Sequence, residues 1–285
     1  VGKDVNGVIE QFNRPVEELL NDASSFIKEI RTCGLHIIDL IITDNKEIKD
    51  SSTKVPMLIS RDMLEYLDSV SVLMKKGCTY GAIPLLRTVL ELYLSIMFML
   101  KDDFENRAIT YEVCHIHKRL EAGEFLKQNY GEDVDDDIKV LQEKLGEPGY
   151  LEASCRWEKY KEKNGYPPNW YKITNRRCSS VKKLAEETGK LAMYNIVYSY
   201  YSMYAHGVMA LVNQGDQLRI TPLRTPHMVS LTCRFCLNLA SDVYYRFVAV
   251  YLRTEDKARL DKWYSVMLRQ HLDKIKADEK AIGMS

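Results

Sequence analysis

Four polar residues, Asn195, Ser199, Ser202 and His206, recur at steps of four, three and four in a stretch, 191–212, that carries no formal charge. That spacing places all four on one stripe of a helix. A second stripe, Arg87, Glu91 and Ser95, recurs at steps of four among Leu85, Leu86, Leu90, Leu92, Leu94 and Met97. An arginine and a carboxylate in such apolar company need partners, because stranding either costs on the order of several kcal/mol. The expectation is that the two stripes face each other across one polar pocket. An imidazole that exchanges protons near neutrality, a guanidinium for an anion and a carboxylate to hold it are the parts of acid–base chemistry on an anionic substrate. In that reading His206 is the acid/base, Arg87 the anion clamp, Glu91 its orienter and Ser202 a hydrogen-bond donor, with Asn195 and Ser199 as ligand contacts. The structural alternative is an intrahelical Arg87–Glu91 ion pair beside a core histidine bonded to a tyrosine.

A third stripe, Arg234, Asn238, Asp242 and Arg246, repeats at steps of four. Ladders of alternating charge mark solvated helix faces, and the other role open to Asp242 is to orient His206. Cys233 and Cys236 form a CxxC on an expected helix, and Cys114, His115 and His117 add soft ligands. Structural zinc sites use four ligands, commonly from two paired knuckles, so no metal and no cofactor are expected. The phosphate-loop, dinucleotide, zincin and nucleophile-elbow signatures do not occur in the sequence.

The elements that must position these residues read as helices almost throughout. Pro15 suits a first helical turn, and apolar residues follow at three-and-four spacing to about Ile42. Further helices are expected over Pro56–Lys76, closed by Gly77, then Thr79–Leu100, Asp102–Tyr130 and Asp133–Leu145. Gly146–Gly149 reads as a turn and Asn164–Tyr171 as an aromatic loop packed onto the body. Ser179 and Ser180 cap a helix through Glu187 that Gly189 ends. The uncharged stretch 191–212, Pro226–Leu252 and Thr254–Lys280 complete the set, with Gln217–Thr221 as a short isolated strand. The fold class is all-α: one domain over 1–285, about ten helices in an irregular bundle around a buried central helix at 191–212.

Composition narrows the function classes. The 285 residues carry 40 Lys+Arg against 40 Asp+Glu, so bulk electrostatic gripping of nucleic acid is excluded, while a local basic patch is not. Two stretches are long enough to span a bilayer. Residues 82–100 contain Pro84, Arg87 and Glu91, however, and 191–212 contains five tyrosines with His206, so both are expected as core helices and no membrane partner is assigned. Seven scattered cysteines, and a start at Val1–Val5 without a basic-then-apolar leader pattern, fit a reduced cytoplasmic compartment.

The blocks Arg61–Glu65 and Tyr80–Glu91, the latter with its Leu85-Leu86-Arg87…Glu91 run, resemble the bacterial family called domain of unknown function 5677. Trp170 and Gly189 match its downstream positions, and Tyr198, Ser202 and His206 its closing Y-x3-S-x3-H, which adds Tyr198 to the ligand contacts. The resemblance covers about 55–250, which implies a family-like core with helices 15–42 and 254–280 packed on it. The helix ending in His206 is also similar, more distantly, to the HEPN helical nucleases of prokaryotic defence and toxin systems. Those place an arginine four to six residues before a histidine, cleave RNA without metal and often act as dimers. Here Tyr201 stands five residues before His206, so Arg87 would have to supply the cation from another helix. The resemblance implies a metal-independent ribonuclease or toxin effector in phage defence or stress response, with RNA, a second copy or a defence-system protein as partner. The alternative is a non-catalytic module that binds an anionic small molecule or a protein.

Overall fold

The computed structural model describes residues 12–44, 50–175, 177–199, 226 and 228–283. All elements among them are helical. The expected strand Gln217–Thr221, and the part of the uncharged stretch beyond 199, lie outside the described residues. The chain divides into two compact units, one of Val1–Glu47, Ile59–Ile96 and Leu191–Ser285, the other of Ile48–Leu58 and Met97–Lys190.

In the first unit α1 (Arg14–Asp44) buries Leu19, Leu20, Ala23, Phe26, Ile27, Ile30, Ile37 and Ile41, the three-and-four pattern of one apolar face. That face lies along α10 (Val229–Tyr251). The contact is close because Gly34 has no side chain: a Cβ there would meet Leu64 Cδ2 at 2.7 Å and Tyr244 Cζ at 2.8 Å. The Tyr244 hydroxyl instead donates to the Ile30 carbonyl at 2.7 Å, satisfying a group that is otherwise wholly buried. α2 (Ser51–Lys75) begins five residues before the expected start at Pro56. Asp50 accepts from the Thr53 amide at 3.1 Å and opens the helix there, so Pro56 forfeits one intrahelical bond near the start instead of setting the boundary.

α3 (Thr79–Met99) is, among the described residues, the one helix long and apolar enough to cross a membrane. Leu86, Val89, Leu90, Tyr93, Leu94 and Ile96 are fully buried in protein, which is the pattern of a core helix. α10 is also largely buried, along Thr232, Cys233, Phe235, Cys236, Leu239, Ala240, Val243, Tyr244 and Phe247, with the Arg234–Arg246 ladder on its more accessible side. The expectation that 191–212 would be buried all round fails over its described start. α9 (Leu191–Tyr194) runs into a π turn, Asn195–Ser199, where Ile196 is 68% exposed and, among the side chains described, only Val197 is buried. The last expected helix is also interrupted: α11 (Thr254–Lys262) and α12 (Arg269–Ala281) flank a π segment, Trp263–Leu268.

The second unit holds α4 (Phe104–Tyr130), α5 (Asp135–Leu145), α6 (Pro148–Asn164), α7 (Trp170–Thr174) and α8 (Val181–Glu187). Val113, Ile116, Leu141, Tyr150 and Ala153 form its core, with Ile109, Leu120 and Leu145 packed against them. α6 is the element the sequence reading lacks. Pro148 sits in its first turn, where a missing N–H costs nothing, so the supposed turn at 146–149 is a helix start. Trp170 and Tyr171, expected in a loop, are buried in the short α7, with Trp170 edge-on to Phe98 and Tyr111. Ser180 caps α8 as expected, accepting from the Lys183 amide at 3.2 Å, and Gly189 ends the segment at φ 72°.

Candidate functional site

α3 presents Arg87 and Glu91 one turn apart, and Arg87 Nε donates to Glu91 Oε1 at 3.3 Å. Their side chains are 26% and 41% exposed, so the pair is half-buried, not sealed in the core. Ser95, the third member of the stripe, spends its hydroxyl on the Glu91 carbonyl at 2.9 Å and serves the helix itself.

The opposing wall is aromatic. A π turn is wider than an α turn and shifts the phase of the residues on it. Tyr194 and Tyr198, four residues apart across it, stand face to face, ring centres 4.6 Å apart and 17° from parallel. The guanidinium of Arg87 lies over the Tyr198 ring, 4.2 Å from its centre, and Nη2 donates to the Tyr198 hydroxyl. Arg87 is thus fixed by a carboxylate on its own helix and a phenol from another. Among the described residues its Nη1 has no hydrogen-bond partner. Partial burial, with the neighbouring Tyr198, pushes the Tyr194 phenol above its usual pKa, and Arg87 pulls it back.

Of the residues singled out in the sequence, the structure brings together Arg87, Glu91 and Tyr198. Asn195 is exposed, although the expected stripe put it on the pocket side. The side chain of Ser199, and all of Ser202 and His206, lie outside the described residues. Asp242 accepts from the Tyr93 hydroxyl at 2.9 Å, which ties α10 to α3. Burial first, and Asp242 second, drive the Tyr93 phenol well above its ordinary pKa. In the same ladder Arg234 is exposed, while Asn238, Asp242 and Arg246 are half-buried. Tyr194 is the member that sequence reasoning missed as a site residue; its signal was the Tyr194/Tyr198 pair at i, i+4.

Of the soft-ligand residues, His115 is exposed and the others belong to the two cores. Cys233 and Cys236 are fully buried in α10, and burial raises both thiols, Cys236 to about 12 and Cys233 also well up. A thiol held protonated in this way is neither a ready ligand nor a nucleophile. Cys114 is likewise buried and pushed up to about 12, and the imidazole of His117 meets the Ser154 hydroxyl at 2.9 Å.

A family model described as a family of unknown function, DUF5677, matches residues 53–216, more than half of the chain. The chain belongs to the DUF5677 family. No curated protein and no solved structure matches it. The DUF5677 match takes in Arg87, Glu91, Tyr194 and Tyr198, together with Ser202 and His206, and stops before α10. The Arg87 cluster therefore lies wholly within the family segment, whereas Asp242 lies beyond it.

Proposed function

We propose that this DUF5677 protein binds a phosphate-bearing ligand at Arg87 and cleaves RNA there without a metal, as a HEPN-like effector of phage defence or stress response. The supporting observation is the Arg87 guanidinium itself, half-buried and held by Glu91 and Tyr198 with one terminal nitrogen unpartnered among the described residues. A cation oriented in advance loses little freedom on clamping a phosphate and acts most strongly where charge builds up. His206 is the proton carrier in this reading. The RNA 2′-oxygen bonds to phosphorus as its proton passes to the imidazole. The bond from phosphorus to the 5′-oxygen breaks, and that oxygen takes the proton. The products are a 2′,3′-cyclic phosphate and a 5′-hydroxyl end. The tyrosine-rich segment 194–204 suits a homodimer interface in the same reading.

One observation favours a second reading, a non-catalytic module for an anionic small molecule or a partner protein. Tyr198 already covers one face of the guanidinium and takes Nη2. A ligand held by the remaining nitrogen needs no turnover.

The test is RNA cleavage by the purified chain in EDTA, with Arg87→Ala and His206→Ala variants and their melting temperatures. Loss of about 100-fold or more in both variants at unchanged melting temperature supports the enzyme. RNA that stays intact, but whose binding is lost in Arg87→Ala, supports the module. Unfolding of both variants leaves only the structural ion pair.

A further inference from the structure

In the second unit a concave site of about 580 Å³ opens beside the C-terminal half of α6. This is within the size range of small-ligand sites. Four cations line it: Arg156, Lys159 and Lys163 from α6, and Lys172 from α7. Tyr160 and Tyr166 line it with them, and among the described residues no carboxylate does. Arg156, Lys159, Tyr160 and Lys163 stand at steps of three, one and three, which is one face of a helix. The opposite face carries Tyr150, Ala153, Ser154 and Trp157 into the core, so the basic face must look outward.

The arrangement is built. Arg156 is anchored by Glu152 at 2.9 Å, Asn106 at 2.7 Å and Thr110 at 3.4 Å. Lys172 lies 5.5 Å from the Tyr166 ring centre and 5.9 Å from that of Tyr160. The two tyrosine rings meet edge to face at 76°, and Tyr166 stays 50% exposed at the rim. The ordinary explanation for lysines in a last helical turn is the helix dipole. It accounts for Lys163. It does not account for Arg156 and Lys172 converging on the same hollow, nor for a local excess of cations in a chain whose charges balance at 40 to 40.

We propose that this hollow is a binding site for single-stranded nucleic acid, with phosphates on Lys159, Lys163 and Lys172 and an unstacked base on Tyr166. Clustered cations supply the affinity for the backbone, and an exposed aromatic side chain favours bases that are not already paired. The site is separate from the Arg87 cluster and does not depend on cleavage there.

The test is fluorescence anisotropy of the full chain with a 2′-O-methyl RNA of about twelve nucleotides, which lacks the nucleophile and so reports binding alone. The expected result is that Lys159→Glu/Lys163→Glu weakens binding by about tenfold or more and reduces the salt slope by about two. Tyr166→Ala should weaken the single strand several-fold, and a duplex of the same sequence should bind several-fold less than the single strand. The Lys159→Gln/Lys163→Gln variant repeats the measurement should charge reversal disturb α6. Unchanged affinity in the lysine variants, or equal affinity for duplex and single strand, overturns the proposal whatever Arg87→Ala does. Retained binding in Arg87→Ala separates this site from the one in the first unit.

Discussion

The Tyr198 hydroxyl and the Arg87 guanidinium meet across 111 positions of sequence, and the same tyrosine ring lies 4.2 Å from the Arg87 carbon. A hydrogen bond and a cation–π contact thus share two side chains. Tyr198→Phe removes only the first and should cost about 0.5–1.5 kcal/mol in urea unfolding. Tyr198→Ala removes both and should cost more. An Arg87→Ala/Tyr198→Ala cycle should show coupling of about 1 kcal/mol, while additive losses would mean the contact contributes nothing to stability.

Glu279, near the C-terminal end of the described chain, caps a helix fifty residues earlier. Its Oε1 accepts the Val229 amide at 2.9 Å and its Oε2 the Ser230 amide at 3.3 Å, at the start of α10. Met228, the N-cap residue, has φ 56° and offers no side-chain acceptor. Glu279→Ala leaves one buried and one half-buried donor without their partner and should destabilise the chain by about 1–3 kcal/mol, with Glu279→Gln milder. Equal stability of wild type and Glu279→Ala by chemical denaturation would contradict this.

Gly34 lets α1 approach α10. Gly34→Ala drives a methyl against Leu64 and Tyr244, so a loss of about 1–3 kcal/mol is expected. Tyr244→Phe removes one clashing atom along with its bond to Ile30. The double variant should therefore be more stable than the sum of the single losses predicts, which thermal unfolding of all four proteins checks.

The buried imidazole of His117 stacks on Trp157 with ring centres 3.8 Å apart. Burial chiefly lowers its pKa; Lys161 adds to the shift and Glu121 opposes it. The folded chain therefore binds this proton less readily than the unfolded one. The stabilisation is complete above the unfolded imidazole value, about 6.5, and is lost as pH falls through the depressed native value. His117→Phe keeps an aromatic ring but does not titrate. Between about pH 7.5 and about pH 5, its unfolding free energy should fall less than that of the wild type. Identical slopes would assign the acid sensitivity to other groups.

Much of the helix pattern was legible because it is local. The apolar spacing in α1 and α3 and the Ser180 and Gly189 signals place those boundaries within a few residues of where they stand. α6 was hidden by breakers at both ends and by a charged face longer than its apolar one. The Arg87–Glu91 pair was legible too, since i and i+4 on a helix are neighbours whatever surrounds them.

What a one-dimensional pattern could not show is which faces meet. At 194–198 Tyr194 and Tyr198 turn toward Arg87 while Asn195 faces outward, so the face that meets α3 is the aromatic one and not the stripe that Asn195 opens. Likewise Tyr198 on Arg87, Glu279 on Val229, and Lys172 beside the basic face of α6 join residues that no sequence period relates. The sequence by itself determined the all-helical class, the family and the identity of the half-buried ion pair, because backbone hydrogen bonding and side-chain periodicity act over four or five residues. Only the tertiary structure decided what that pair touches and where the cations gather, because those contacts depend on how distant helices pack.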